Sequence, residues 1–232
     1  QIANLTHEAN ASCGRVDILV NSAGVGMPGP IARLTIEQIL DQIATNQVGP
    51  ILLTRALLPG MLARRHGVVI SVASLASHVP IDPLYSATKF GLRGFSLALC
   101  RQLHGSGVTA SMVSPGFIRT AMTSEMRQKL PGPDYVARAI AGLVLTPRRQ
   151  VIVPPHYYLD IWTERLIPWL MERILRRRMC ERDGTTNSML GMTEIERIAS
   201  PAPPPRNEPL GPDAEISRGD SESREGDERP RS

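Results

Sequence analysis

Four short apolar runs, each bounded by turn residues, punctuate the first 160 positions of the chain: Asp17–Asn21 (DILVN), Gly67–Ala73 (GVVISVA), Val108–Val113 (VTASMV) and Val151–Val153. They are close to continuously apolar rather than alternating, the pattern of strands buried on both faces. Between them the pattern changes to a helical period. Thr35–Arg65 predicts a long helix, with Thr35 as N-cap and Gln38 three residues on to complete a capping box. Leu84–His104 predicts a second, closed by Gly105 or Gly107, and residues around 119–129 and over 133–145 also read as helical. Strands alternating with helices of this length imply βαβ units with right-handed crossovers, hence an α/β fold with a doubly wound parallel sheet covered on both faces. No internal repeat interrupts the series. Ligands of such sheets bind beyond the carboxyl ends of the strands. Here those positions read NSAGVG (21–26), SLAS (74–77) and SPGFIRT (114–120), all rich in small and polar residues.

From about Glu181 the text changes to Pro, Ser, Gly and mixed charge, with almost nothing to bury, so residues 201–232 are expected to be disordered. Residues 183–200 leave room for one short helix. Of the 232 residues, 42% are apolar and 21% charged, which is a globular composition. No window approaches the roughly 18 apolar residues of a membrane span. The net charge of +4 conceals a net −3 over residues 201–232 and +7 over the rest. Without aromatic–basic interleaving, that balance does not point to nucleic acid. Three dispersed cysteines (Cys13, Cys100, Cys180) exclude a disulfide framework, and the polar start lacks the apolar core of a signal peptide. Both fit a cytoplasmic protein, and make the N-x-S/T triplets at Asn4 and Asn10 chance matches on a helix. Five scattered histidines (His7, His66, His78, His104, His156) form no metal-ligand pattern, and Met112, Met122 and Met126 read as packing.

Tyr85 and Lys89 stand four residues apart at the start of the second long helix, on one face. A free phenol has a pKa of about 10. A neighbouring ammonium is expected to lower it and make the phenol usable for proton transfer. The chain uses 24 arginines and only two lysines, Lys89 and Lys129, so a lysine at this position is a marked choice. Ser74 lies at the carboxyl end of the second strand, eleven residues before Tyr85. It can orient a reacting oxygen, or simply cap a turn. Asn46 interrupts an apolar helix, where a buried amide must be hydrogen-bonded. It could hold a water that relays protons to Lys89, or satisfy a backbone kink near Gly49-Pro50.

These residues together resemble the short-chain dehydrogenase/reductases over about Asp17–Val153. NSAG (21–24) is similar to the family's N-N-A-G turn with Ser22 in place of the second Asn. Asn46, Ser74, Tyr85 and Lys89 resemble its Asn-Ser-Tyr-Lys tetrad, and Pro115–Thr120 its P-G-x-[VI]-x-T segment. The resemblance implies a Rossmann-like, three-layer fold and reversible carbonyl–alcohol oxidoreduction with NAD or NADP. Tyr85 would be the general acid/base, Ser74 would orient the reacting oxygen, Lys89 would hold the ribose, and Asn46 would anchor a relay water. Asn21, Ala23, Gly24, Tyr85, Lys89, Pro115, Gly116, Ile118 and Thr120 would contact the cofactor, Ile118 through its backbone. The helices at 35–65 and 84–104 would form a homo-oligomer interface. The family's glycine-rich T-G-x-x-x-G-x-G turn has no counterpart in these 232 residues, so the resemblance implies an N-terminally incomplete sheet. A truncated, non-catalytic relative acting through surface contacts is the alternative.

Tyr157–Arg178 lies outside the shared segment. Trp162, Leu166, Trp169, Leu170 and Ile174 recur at helical spacing beside Arg165, Arg173 and Arg176–Arg178, with Pro168 expected to kink or split the helix. This amphipathic stretch could face the core, close over a substrate cleft, meet a partner, or lie on an anionic membrane surface. It tilts the expected substrate toward a lipophilic one. The expected organisation is therefore a partial oxidoreductase domain over 1–156, an amphipathic helix over 157–180, and a disordered tail over 181–232.

Overall fold

A computed structural model describes residues 12, 14–27, 30–120, 123, 124 and 129–183, with backbone alone at 178–183. The expectations for Asn4, His7, Asn10, Cys13, Met122, Met126 and the tail from 184 lie outside the described residues. The four apolar runs form the strands β1 (Ile18–Asn21), β2 (Gly67–Val72), β3 (Val108–Pro115) and β4 (Val151–Val153). They make one sheet in sequential order, β1-β2-β3-β4, with every pair parallel. Each parallel neighbour requires a crossover, and the helices supply them. These are α1 (Ile36–Ile43) with α2 (Gly49–Ala63), then α3 (Pro83–Gln102) and α4 (Asp134–Leu145). Helices α5 (Tyr157–Leu166) and α6 (Pro168–Asp183) follow β4.

Each face of the sheet has its own core, as alternation along buried strands requires. On one face Leu19, Val69, Val108 and Ala110 pack with Met61 of α2 and Leu99 of α3. On the other, Val68, Ile70, Val113 and Val153 meet Ile140, Leu143 and their neighbours on α4. Ile18 and Val20 of β1 pair in register with Val68 and Ile70, so they share the α4 face, yet both are exposed. The edge strand therefore leaves that face open.

The helix expected over Thr35–Arg65 is interrupted rather than uniform. Thr35 caps it with Gln38 in a complete capping box. Residues Ala44–Val48 then widen into a π-helical turn, in which Gly49 N–H donates to the Ala44 carbonyl five residues back. Pro50 has no N–H to offer the Asn46 carbonyl, so the regular ladder fails at this step. The helix expected around 119–129 is not continuous: residues 119–120 and 129–132 are irregular, and 121–122 and 125–128 lie outside the described residues. Gly105 and Gly107 both take positive φ just past α3, as a closing glycine should. Pro168 splits the last amphipathic stretch in two, since the residue before a proline avoids helical geometry; Ile167 sits at φ −137°, ψ 63°.

Candidate active site

Everything in the site hangs on the carboxyl ends of β1, β2 and β3 and the first turns of α3. The chain leaves β2 at Val72, Ala73 N–H donates to the Val113 carbonyl, and Ser74 follows in extended conformation. Ser74 Oγ accepts from Ala76 N–H at 3.1 Å and so caps the short 3-10 turn Leu75–Ser77. The same side chain hydrogen-bonds with Tyr85. The capping alternative for Ser74 is thus realised, with the same side chain set beside the phenol.

Tyr85 is aimed by an element the sequence reading passed over. Asp82 is the N-cap of α3, accepting from Tyr85 N–H at 2.6 Å, and Pro83 opens the helix at the position where its missing N–H costs nothing. The Asp-Pro pair was the available signal. The expected sign of the phenol's shift is overturned here. Burial raises the Tyr85 pKa, the hydrogen bond from Ser74 opposes it, and the Asp82 carboxylate adds to the rise. The Lys89 ammonium, 5.6 Å from the ring centroid, does not reverse this. The phenol thus keeps its proton at neutral pH.

Lys89 is 3% exposed, and its Nζ donates to the Val72 carbonyl at 3.3 Å. Burial alone brings its pKa down to about 8. An ammonium carries three protons, so two are left without a protein acceptor among the described residues. Gly24 closes over this nitrogen. A Cβ built there would lie 3.2 Å from Lys89 Nζ and 3.5 Å from Asn46 Oδ1. The loop after β1 is thus brought against the lysine because position 24 has no side chain. Asn21 is buried at the end of β1, its Nδ2 donating to Thr54 Oγ1, while Ala23 and Gly24 are exposed at the mouth.

Asn46 has a role that neither sequence alternative named. It is fully buried in the π-helical turn, where its Oδ1 accepts from Val25 N–H at 2.8 Å. Its Nδ2 donates to the Val25 carbonyl at 2.8 Å and to Thr88 Oγ1 at 3.1 Å. It clamps the loop after β1 to α3. Gln42, four residues earlier and also fully buried, accepts from Met27 N–H at 2.7 Å. Gln42 and Asn46 are the buried residues of α1 and the π-helical turn, two amides four apart, and that spacing was the signal.

The third loop is held from the carboxyl-terminal side. Gly116 N–H donates to the Val153 carbonyl, and Phe117 N–H donates to Tyr157 Oη at 3.3 Å. The Tyr157 ring covers Gly116 so closely that a Cβ there would fall 1.9 Å from it. Ile118 is buried, and its carbonyl accepts from Thr123 Oγ1; Thr120 is exposed, its N–H donating to the same hydroxyl. Tyr157 was read only as the start of an amphipathic helix. A hollow lined by Pro80, Ile81, Asp82, Pro83, Ser86, Ala87 and Phe90 shares Asp82 with the site but includes neither Tyr85 nor Lys89. Among the described residues no three His, Cys, Asp or Glu side chains gather as metal ligands.

His78 lies just past the 3-10 turn. Its Nε2 meets the Gln150 amide nitrogen at 3.2 Å and Ser114 Oγ at 3.4 Å. Burial, and then the Arg93 charge, hold its pKa down to about 4. An unfolded histidine keeps its proton to about pH 6.5. The neutral ring therefore contributes stability that is complete above that pH and is lost as pH falls toward 4. For a half-buried ring screened by solvent, the loss is of order 1–2 kcal/mol. Urea unfolding at pH 7 and pH 4.5 should show it, and His78→Gln should flatten the difference by that amount.

The comparisons with known proteins agree with this fold. A family model described as short chain dehydrogenase matches residues 1–131. Ketoacyl reductase HetN of Nostoc sp. is 32% identical over 191 residues, covering 76% of this chain and 67% of that protein. A short-chain dehydrogenase structure from Streptomyces avermitilis superposes with a TM-score of 0.64 at 27% identity, covering 78% of this chain and 76% of that one. A metagenomic short-chain oxidoreductase solved in complex with NADP gives 0.57 at 33% identity, covering 66% of this chain and 68% of its own. The chain belongs to the short-chain dehydrogenase family. It spans 67%, 64% and 55% of the length of three curated relatives it matches.

Proposed function

We propose that this chain carries the substrate and nicotinamide side of an NAD(P)-dependent oxidoreductase that interconverts a carbonyl and an alcohol on a lipophilic small molecule. The observation that carries the reading is the buried Lys89 ammonium, with two protons unanswered, beside a tyrosine hydrogen-bonded to Ser74. Those protons fit the oxygens of a sugar diol. The name of HetN and the NADP complex of the metagenomic relative support the same class. A bound dinucleotide supplies the hydride. The chain's own residues supply the rest. Ser74 Oγ and Tyr85 Oη hold the reacting oxygen from two sides, and Tyr85 Oη gives it the proton in reduction or takes it in oxidation. Lys89 stabilises the phenolate left behind and anchors the ribose. Asn21, Ala23 and Gly24 border one side of the cofactor; Pro115, Gly116, Ile118 and Thr120 border the other.

The relay-water role for Asn46 fits less well, because both its polar atoms are engaged with Val25 and Thr88. Asn46 acts instead as a positioning residue for Gly24. Ile36, Leu40, Val48 and Leu52 form an exposed apolar row along α1–α2, which supports assembly as a homo-oligomer through the long helices. The dispersed cysteines support a cytoplasmic setting.

The direct test is NADH and NADPH binding by fluorescence, followed by a carbonyl panel. Binding should be micromolar, and kcat/KM should fall as pH rises through about 8, where Lys89 loses its charge. Lys89→Arg should lose most of the turnover, since a planar fork cannot replace a point ammonium. A folded chain that binds neither dinucleotide would sink the reading in favour of a non-catalytic relative.

A further inference from the structure

Helices α5 and α6 carry more apolar surface than the core uses. Their inward residues are Tyr157, Ile161, Met171, Ile174 and Leu175, which pack on Leu75 and Val79 beneath them. That accounts for the core-facing stripe. A second set points the other way: Leu159 is 73% exposed, Trp162 55%, Leu166 68% and Trp169 69%, with Tyr158 and Ile167 exposed beside them. On α5, at about 100° per residue, positions 158, 159, 162, 165 and 166 fall within one arc of roughly 120°. Leu166, Ile167 and Trp169 carry the apolar surface across the break at Pro168 onto α6. Apolar surface of this extent on a helix pair marks an interaction site.

The charges say what covers it. Arg165, Arg173, Arg176 and Arg177 are exposed on these two helices. The only exposed acid among their described side chains is Glu172, which is paired to Arg176 at 2.8 Å. Asp160 and Glu164 are drawn inward to half-buried positions. The outward surface is therefore two tryptophans and several aliphatics flanked by Arg165, Arg173 and Arg177, with Arg176 held to Glu172. Indole rings prefer the headgroup level of a bilayer, where one edge stays wet, and arginine side chains extend from an apolar surface to anionic lipid. No helix among the described residues is long and apolar enough to cross a membrane.

We infer that α5 and α6 form a peripheral docking surface for an anionic lipid bilayer, with Leu159, Trp162, Leu166 and Trp169 entering the interface and Arg165, Arg173 and Arg177 meeting the headgroups. The surface is separate from the oxidoreductase reading, because vesicle binding requires no cofactor.

Trp162 and Trp169 are the chain's only tryptophans, so its intrinsic fluorescence reports on this surface alone. The full chain is titrated with vesicles of phosphatidylcholine alone and of phosphatidylcholine with about one third phosphatidylglycerol. The expected result is a blue shift with the anionic vesicles that weakens as salt is raised. Leu159→Glu combined with Leu166→Glu, both at exposed positions, should weaken binding about tenfold or more at an unchanged Tm. Four outcomes overturn the inference: no shift with either vesicle, an equal shift with phosphatidylcholine alone, binding retained by the double variant, or a blue shift that grows with protein concentration before lipid is added. The last would assign the surface to a second copy of the chain.

Discussion

Tyr85→Phe should lower turnover by about 10²–10⁴-fold, the usual contribution of a positioned proton donor, while the fold survives. The substitution removes one oxygen and leaves the ring in its half-buried seat at the first turn of α3. Ser74 loses a hydrogen-bond partner but keeps its Ala76 cap, so the turn Leu75–Ser77 stays in place. Stability should change by less than about 1 kcal/mol. Because burial and Asp82 raise the phenol's pKa, the wild-type hydroxyl keeps its proton at neutral pH. The check is steady-state reduction of a carbonyl substrate alongside dinucleotide binding. Normal binding with turnover gone is the expected pair of results. Turnover within threefold of wild type would remove Tyr85 from proton transfer.

Asn46→Ala should be the most damaging substitution at a polar position. Both polar atoms of that amide bond the Val25 backbone, and Nδ2 reaches Thr88 as well, at a position with no solvent exposure. Truncation strands a backbone N–H and C=O and opens a cavity, a loss of about 2–4 kcal/mol. The loop carrying Gly24 is then released from Lys89, so cofactor affinity should fall together with stability. Urea unfolding gives the stability, dinucleotide titration gives the affinity, and hydrogen exchange of the Val25 amide reports release of the loop in the absence of any ligand. Gln42→Ala, which breaks one bond to Met27, should cost clearly less. Equal losses for the two would mean that the clamp is not centred on Asn46.

Much of this fold is readable in the sequence, because two-sided burial writes itself as apolar runs. VVISV and VTASMV read as inner strands and are inner strands, DILV is written the same way but forms the edge strand, and Thr35 with Gln38 announces a helix start. Ser74, Tyr85 and Lys89 could be brought together by the sheet rule and the helical repeat, since both are local constraints. What escaped depends on distant chain. The sign of the Tyr85 shift is set by how much protein covers the phenol and by Asp82, neither of which a Tyr–Lys spacing encodes. The Asn46 clamp needs Val25, 21 residues away, and Thr88, 42 residues away. Tyr157 meets Phe117 from 40 residues downstream. The tryptophan-bearing stretch was legible as amphipathic, but only the packing shows that its core-facing residues are a different set from the exposed ones.

The widened turn at Ala44–Val48 also governs which length changes this gene can survive. A π-helical turn holds one residue more than the ladder around it needs, so removing one residue there would restore a regular α-helix. The repair would rotate everything downstream by roughly 100° relative to what lies upstream. Thr54 and Met61 would swing off the sheet, and the amide that grips Val25 would leave its loop. A deletion that improves the helix would therefore dismantle both the core and the site.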